Sequence, residues 1–244
     1  MSVAVVEPQL LARIDAALLL LQRVAIEYRP AAFASSLGAE DMVLTDMIAR
    51  HRFGIELFTL DTGRLHAETL GLLPAIGKRY GVEICVIKPE PAAVGDYVAR
   101  HGEDAFYGSV ELRKRCCEIR KVEPLGRALA GKRAWVTGLR RAQATSRSDI
   151  AIEEKDEVHG LMKFNPLSEW SDGEIWRYLR DFDVPYNPLH DQGYPSIGCA
   201  PCTRPVPAGG DARAGRWWWE TRAASECGIH FSPDRKVIRV KAAA

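Results

Sequence analysis

The sequence predicts an α/β protein with a parallel, twisted core sheet flanked by helices. Three observations predict it. Short apolar runs at Ala31–Ser35, Ile55–Leu60, Val82–Ile87 and Ala134–Thr137 alternate with longer helical patterns, as strand–helix–strand units require. Small-residue turns beginning at Ser36, Asp61 and Gly138 follow three of those runs, at the carboxyl ends of strands where such sheets bind ligands. The 244 residues are 47% hydrophobic and 27% charged, ordinary for a folded soluble protein.

In chain order, Leu10, Leu11, Ile14, Leu18, Leu21 and Ala25 share one face of an opening helix over Pro8–Tyr28, with Pro8 suited to its first turn. Ala31–Ser35 is the first strand, and Ser36-Leu37-Gly38-Ala39-Glu40-Asp41 leads into a helix ending near Arg50. A strand, tight turn and helix start can gather backbone N–H groups for an anion, or can simply cap the helix. After Ile55–Leu60, Asp61-Thr62-Gly63-Arg64 precedes a helix over Leu65–Tyr80, closed by Gly81. Val82–Ile87 carries Cys85, expected as a packed core thiol. Pro89 begins a helical section reaching about Ala130.

The strand Ala134–Thr137 ends in Gly138, Arg140, Arg141 and, further on, Arg147, either an anion clamp or a solvated loop. Asp149–Phe164 reads as an antiparallel hairpin, and Ser171-Asp172-Gly173-Glu174 as a capping box opening a helix to Phe182. His190 is expected to be structural. Pro205-Val206-Pro207 and Gly209-Gly210 read as a connector, dividing a body at 1–205 from a mobile C-terminal segment at 206–244.

Chemistry concentrates in the cysteines. Cys116 and Cys117 are adjacent, Cys199 and Cys202 stand at C-x-x-C spacing, and basic residues flank both pairs. Structural zinc takes pairs spaced by two to four residues; adjacent cysteines make an awkward bite for one small ion. In a 4Fe–4S cubane each iron needs one protein sulfur, so the spacing favours a cluster over zinc. Disulfides are the weaker reading, because nothing near the N-terminus resembles a secretory signal and no run reaches membrane-span length. The chain is therefore expected to be cytoplasmic. A formal charge of +1 argues against a general nucleic-acid coat. Cys227, beside Gly228 and without a cysteine partner at metal spacing, is either a reactive thiol on a hinged segment or an ordinary surface cysteine.

Taken together these motifs resemble the assimilatory sulfonucleotide reductases, closely the iron–sulfur, thioredoxin-dependent adenylyl-sulfate reductases. The resemblance runs from about Phe33 to His230. It rests on Ser36–Asp41, Leu60–Arg64, Cys116–Lys121, Thr137–Arg141, Lys163–Leu167, Gly198–Pro205, Gly215–Glu220 and Glu226-Cys227-Gly228. It implies a fold of the adenine nucleotide alpha hydrolase-like, PP-loop type. It also implies one 4Fe–4S cluster per chain on Cys116, Cys117, Cys199 and Cys202, with Cys227 as the nucleophile that takes a sulfonyl group from adenosine 5′-phosphosulfate. Reduced thioredoxin, or a glutaredoxin-like thiol donor, is the implied partner; no nucleic acid or membrane is expected, and homo-oligomerisation is left open. Ser36, Gly38, Glu40 and Asp41 are implied at the nucleotide, and Lys121, Arg213 and Arg216 near its anionic groups. Thr62, Gly63, Arg64, Gly138, Arg140, Arg141 and Arg147 are further expected substrate contacts. The rivals are a 3′-phosphoadenylyl-sulfate or dual-substrate reductase, a PP-loop ATP pyrophosphatase or tRNA-thiolating enzyme, and a zinc-stabilised binding module.

Overall fold

A computed structural model of the chain describes residues 7–144 and 147–220. Its six strands are β1 (Ala31–Ala34), β2 (Ile55–Leu60), β3 (Cys85–Ile87), β4 (Ala134–Val136), β5 (Glu153–Asp156) and β6 (Leu161–Phe164). They form one sheet in the order β3-β2-β1-β4-β6-β5. Parallel pairing joins β1 to β2 and β4, β2 to β3, and β4 to β6. β5 runs antiparallel to β6, closing the expected hairpin.

Successive strands step outward from β1 in one direction, and β4 then adds on its other side. The loops leaving β1 and β4 consequently diverge, opening a crevice at the carboxyl ends of these neighbours, the usual ligand position in an open parallel sheet. Strand alternation explains the two apolar layers. Ala31, Phe33, Ala134 and Val136 face the larger core, built with helices α1 (Pro8–Glu27), α2 (Ala39–Arg50), α4 (Leu72–Tyr80) and α8 (Asp172–Asp181). Ala32 and Trp135 face the smaller one, which includes Leu125 and Leu129 of α7 (Glu123–Leu129).

Local rules account for most boundaries. Pro8 opens α1. Ser171 and Glu174 form the capping box of α8, with the Glu174 N–H donating to Ser171 Oγ at 3.2 Å and the Ser171 N–H to Glu174 Oε2 at 2.7 Å. The helix expected over Leu65–Tyr80 is instead two pieces, α3 (Ala67–Leu70) and α4, joined at Gly71. The section after Pro89 contains α5 (Pro91–His101), α6 (Val110–Cys117) and a π-helical turn, Glu118–Val122, running into α7. Leu11, expected on the inner face of α1, is 45% exposed.

Two further expectations are corrected. Cys85 is exposed. β3 is an edge strand of three residues, and its neighbour Ile84 takes the buried place. The expected boundary at residue 205 is not where contact with the body ends. Val206 N–H donates to Gly193 O (2.8 Å), Arg216 bridges to Thr203, and Gly215 packs so closely on Arg204 O that a Cβ there would lie 2.2 Å away. These contacts bind 206–220 to the sheet-bearing body. Among the described residues, no helix is long and apolar enough to cross a membrane.

The crevice depends on close approach of its two loops. A Cβ on Gly138 would fall 2.1 Å from Asp41 Oδ1 and 3.2 Å from Glu40 Cβ. Gly138→Ala is therefore expected to lower stability by about 1–3 kcal/mol in denaturant titration. Gly95→Ala, inside α5 with nothing within 4 Å of the added methyl, is expected to raise it by about 0.5–1 kcal/mol.

Candidate active site

The loop after β1 is held by its own side chains. Asp41 Oδ2 accepts hydrogen bonds from both the N–H and the hydroxyl of Ser36, each at 2.6 Å. Leu37 adopts a left-handed φ of 61°, fixed by a bond from its N–H to Ser35 Oγ (3.2 Å) and by complete burial of its side chain. Burial drives the Asp41 carboxyl up to about 6, against the Ser36 hydrogen bonds. The N–H groups of Ser36 and Leu37 are thus engaged within the loop, and Glu40 and Asp41 occupy the positive end of α2.

The loop after β4 is likewise tied inward. Arg140 is buried, and its Nε and Nη2 donate to Glu40 Oε1 at 3.0 and 2.7 Å. Its Nη1 donates to Trp170 O (3.0 Å), and Asp172 receives a further bond. Gln143 Nε2 adds a bond to Glu40 at 2.8 Å. Burial alone would raise the Glu40 carboxyl, but Arg140 and Gln143 outweigh it and hold it below the ordinary range. Arg140 and Glu40 therefore neutralise each other in the wall. Arg141 turns away to Ile150 O (2.8 Å) and Glu169 (3.2 Å).

A large cavity lies between these loops, and eleven of the fourteen expected substrate-contacting residues line it. These are Ser36, Gly38, Glu40, Asp41, Thr62, Lys121, Gly138, Arg140, Arg147, Arg213 and Arg216. Gly63, Arg64 and Arg141 do not. Gly63 forms a tight turn at φ 70°, and Arg64 pairs with Glu103 (2.7 Å) and Asp104 (2.6 Å). Lys121, Arg147, Arg213 and Arg216 are the cations that the cavity gathers beyond the Arg140–Glu40 pair. His190 also lines it, with Nδ1 2.8 Å from Tyr194 O and Nε2 buried without a partner among the described residues.

A second, smaller cavity adjoins the first. Cys116, Cys117, Cys199 and Cys202 all line it, with Arg64, Arg113, Arg120, Lys121 and Arg216. Lys121, Arg216 and Trp217 border both cavities. Cys116 and Cys117 end α6, and the wider π turn then carries Arg120 and Lys121 to the same wall. Cys199 and Cys202 flank a short 3₁₀ turn. Ala200 N–H fixes that turn through Arg64 O (2.7 Å), as does the bridge between Leu65 and Cys199. Gly198 lets the Arg216 guanidinium cross, since a Cβ there would lie 2.3 Å from its nitrogen.

Electrostatics distinguish three of the four thiols. Burial pushes Cys199 up, yet Lys121, the Thr62 hydroxyl at 3.2 Å, Arg216 and Arg120 together bring it below its ordinary value. Burial and then the Cys199 charge push Cys202 up to about 12. Cys116 is raised chiefly by burial. Trp217 completes the wall, its indole N–H buried without an acceptor among the described residues. Among those residues, no three His, Cys, Asp or Glu side chains form a group that could hold one metal ion. Cys227 lies outside the described residues.

Sequence reasoning missed two residues of this wall, Arg113 and Arg120, and the partner of one of them, Glu220. Arg113 precedes Cys117 by one helical turn, a spacing visible in the chain. Arg120, which donates to Thr62 O at 2.7 Å, is adjacent to Lys121. Glu220, which pairs with Arg113, gave no spacing signal.

Comparison with known proteins accords with this arrangement. The profile of the phosphoadenosine phosphosulfate reductase domain matches residues 30–205. The chain is 54% identical over 225 residues to adenosine 5′-phosphosulfate reductase from Burkholderia cepacia, covering 92% of this chain and 90% of that one. Its identity to the Allochromatium vinosum protein of the same name is 55% over 221 residues, covering 89% and 86%. Among solved structures, phosphoadenylyl-sulfate reductase from Candida auris is similar at a TM-score of 0.67 and 24% identity, over 84% of this chain and 100% of that one. Candida glabrata FMN adenylyltransferase is similar at a TM-score of 0.54 and 16% identity, over 84% and 69%; at such identities the likeness is one of fold. With the family profile covering most of its length and relatives more than half identical along nearly all of it, the chain belongs to the phosphoadenosine phosphosulfate reductase domain family.

Proposed function

We propose that this protein reduces adenosine 5′-phosphosulfate to sulfite and AMP in sulfate assimilation, using a thioredoxin-class dithiol and a covalent intermediate on Cys227. The observation that carries the reading is the shared wall. Four cysteines line a cavity that has Lys121 and Arg216 in common with a nucleotide-sized crevice at the strand ends. The names of the relatives quoted above support the substrate.

The donor set suits a 4Fe–4S cluster on Cys116, Cys117, Cys199 and Cys202: four sulfurs, surrounding cations to offset their charge, and the Trp217 indole N–H, which has no acceptor among the described residues. Held by the two cysteine pairs, such a cluster would supply a fixed charge centre beside the crevice. The chain's own residues do the rest. Ser36–Asp41 and Gly138 shape the nucleotide end, and Lys121, Arg147, Arg213 and Arg216 neutralise the phosphosulfate, each contact contributing about 1.5–3 kcal/mol.

The Cys227 thiolate attacks the substrate sulfur, forming an S–S bond as the S–O bond to phosphate breaks. AMP departs with that electron pair, leaving S-sulfocysteine. A dithiol thiolate then attacks Cys227 Sγ, sulfite leaves with the bonding pair, and the second thiol resolves the mixed disulfide. The donor is oxidised by two electrons and Cys227 is restored. The four-thiol centre fits a reducing, cytoplasmic setting.

Cys227→Ser is expected to abolish sulfite release while visible absorption is unchanged; full activity would refute the nucleophile. Lys121→Ala should lower kcat roughly ten- to a hundredfold at constant iron content. Cys117→Ser should lose iron and activity together, which metal analysis under anaerobic handling checks. Competition between the nucleotide and its 3′-phosphorylated form, read as kcat/KM, tests the substrate.

A further inference from the structure

Arg113 and Glu220 form a buried pair that the proposed chemistry does not use. Their side chains are 1% and 3% exposed. Arg113 Nε donates to Glu220 Oε1 at 2.9 Å and Nη2 to Oε2 at 2.8 Å, the bidentate geometry of a strong charge-assisted pair. Each partner lies at a boundary. Arg113 lines the cysteine cavity and interacts with Cys117, one turn further along α6. Glu220 stands seven positions before Cys227, a stretch that spans at most about 25 Å when fully extended.

The turn ending at Glu220 is stapled to the second cysteine pair directly and to the first through Arg113. Trp217 N–H donates to Cys202 O (3.2 Å), and Glu220 N–H donates to Trp217 O (2.9 Å). Trp217 holds a left-handed φ of 44°, a strained choice for a bulky residue that persists only under tertiary restraint. The restraint is visible: the guanidinium of Arg113 lies over its ring at 4.7 Å and that of Arg216 at 4.8 Å. A carboxylate this deeply buried is tolerated only because its partner is in place.

We infer that Arg113 and Glu220 are positioning residues, a clamp that fixes the origin of the Cys227-bearing segment against the cysteine centre and so sets the presentation of the nucleophile to substrate. This rests on the reading of Cys227 given above. With the clamp open, the tether to Cys227 begins further back in the chain, and Trp217 loses the cation that holds its backbone.

The test uses full-length, iron-loaded protein as Glu220→Gln, Arg113→Gln and the double variant, with circular dichroism to monitor folding. Three quantities are read: amide exchange at Trp217, the single-turnover rate of S-sulfocysteine formation by mass spectrometry without reductant, and visible absorption. Each single variant is expected to speed exchange at Trp217 at least tenfold and slow sulfonyl transfer at least tenfold, with absorption retained. The double variant should be no slower than the worse single one, as for residues acting as a unit. Transfer within twofold of the unaltered protein, wild-type exchange at Trp217, or additive losses in the double variant would each overturn the clamp. If the Gln variants do not fold, Glu220→Asp, which keeps the charge but shortens the reach, carries the same readouts and limits. Sulfonyl transfer to a residue other than Cys227 would sink the nucleophile reading instead, while exchange at Trp217 would still decide whether the clamp exists.

Discussion

The gathering of cations around four sulfurs, two buried and two half-buried, is the constraint on which the site is built. Five cationic side chains line the cysteine cavity with the four thiols; Arg64 and Arg113 are offset by carboxylates, as buried charge requires. Meeting the constraint requires segments distant in sequence to arrive in register. Arg120 reaches Thr62 O, Thr62 reaches Cys199, and Cys199 bridges to Leu65. The loop after β2 is thus the shared seat on which both cysteine pairs settle.

The crevice solves a different problem. Its walls carry acids as well as bases, but Glu40 is spent on Arg140 and Gln143, and Asp41 on Ser36. Those pairs make the loops rigid and remove the α2 N-terminus as a source of positive potential. An anion entering the crevice is therefore met by side-chain cations from elsewhere: Lys121 from the π turn, Arg147 from beyond β4, and Arg213 and Arg216 from the stretch after the second cysteine pair. Since Lys121 and Arg216 also face the sulfurs, the charge state of one cavity is felt in the other.

Periodicity and punctuation made the sheet legible in the chain. Ile55–Leu60 is found as expected, Ser171–Glu174 caps its helix, and the strand–helix alternation yields the parallel order. Adjacent and C-x-x-C spacings marked the two cysteine pairs as belonging together, and all four cysteines line one cavity. What escaped depends on tertiary contact. Apolar neighbours mark Cys85 as part of a strand but do not say that the strand is an edge. Arginine is recognisable as an anion ligand, yet nothing local tells that Arg140 meets Glu40 or that Arg141 meets Ile150 O. The Pro- and Gly-rich stretch after Arg204 has the composition of a linker, and only its tertiary contacts, among them Thr203 with Arg216, Val206 with Gly193 and Glu220 with Arg113, bind it to the body.

Trp217 shows why these layers cannot be tuned separately. It borders both cavities, its N–H is anchored on Cys202, and its ring lies under Arg113 and Arg216. Arg113 in turn holds Glu220, so the interaction that seats the segment at the end of the described chain also shapes the wall shared by the two cavities. A change that loosens the segment must disturb that wall, and a change that repacks the wall must shift the segment's origin. On the function proposed above, one buried ion pair would therefore bear both on where Cys227 is presented and on the wall that the two cavities share.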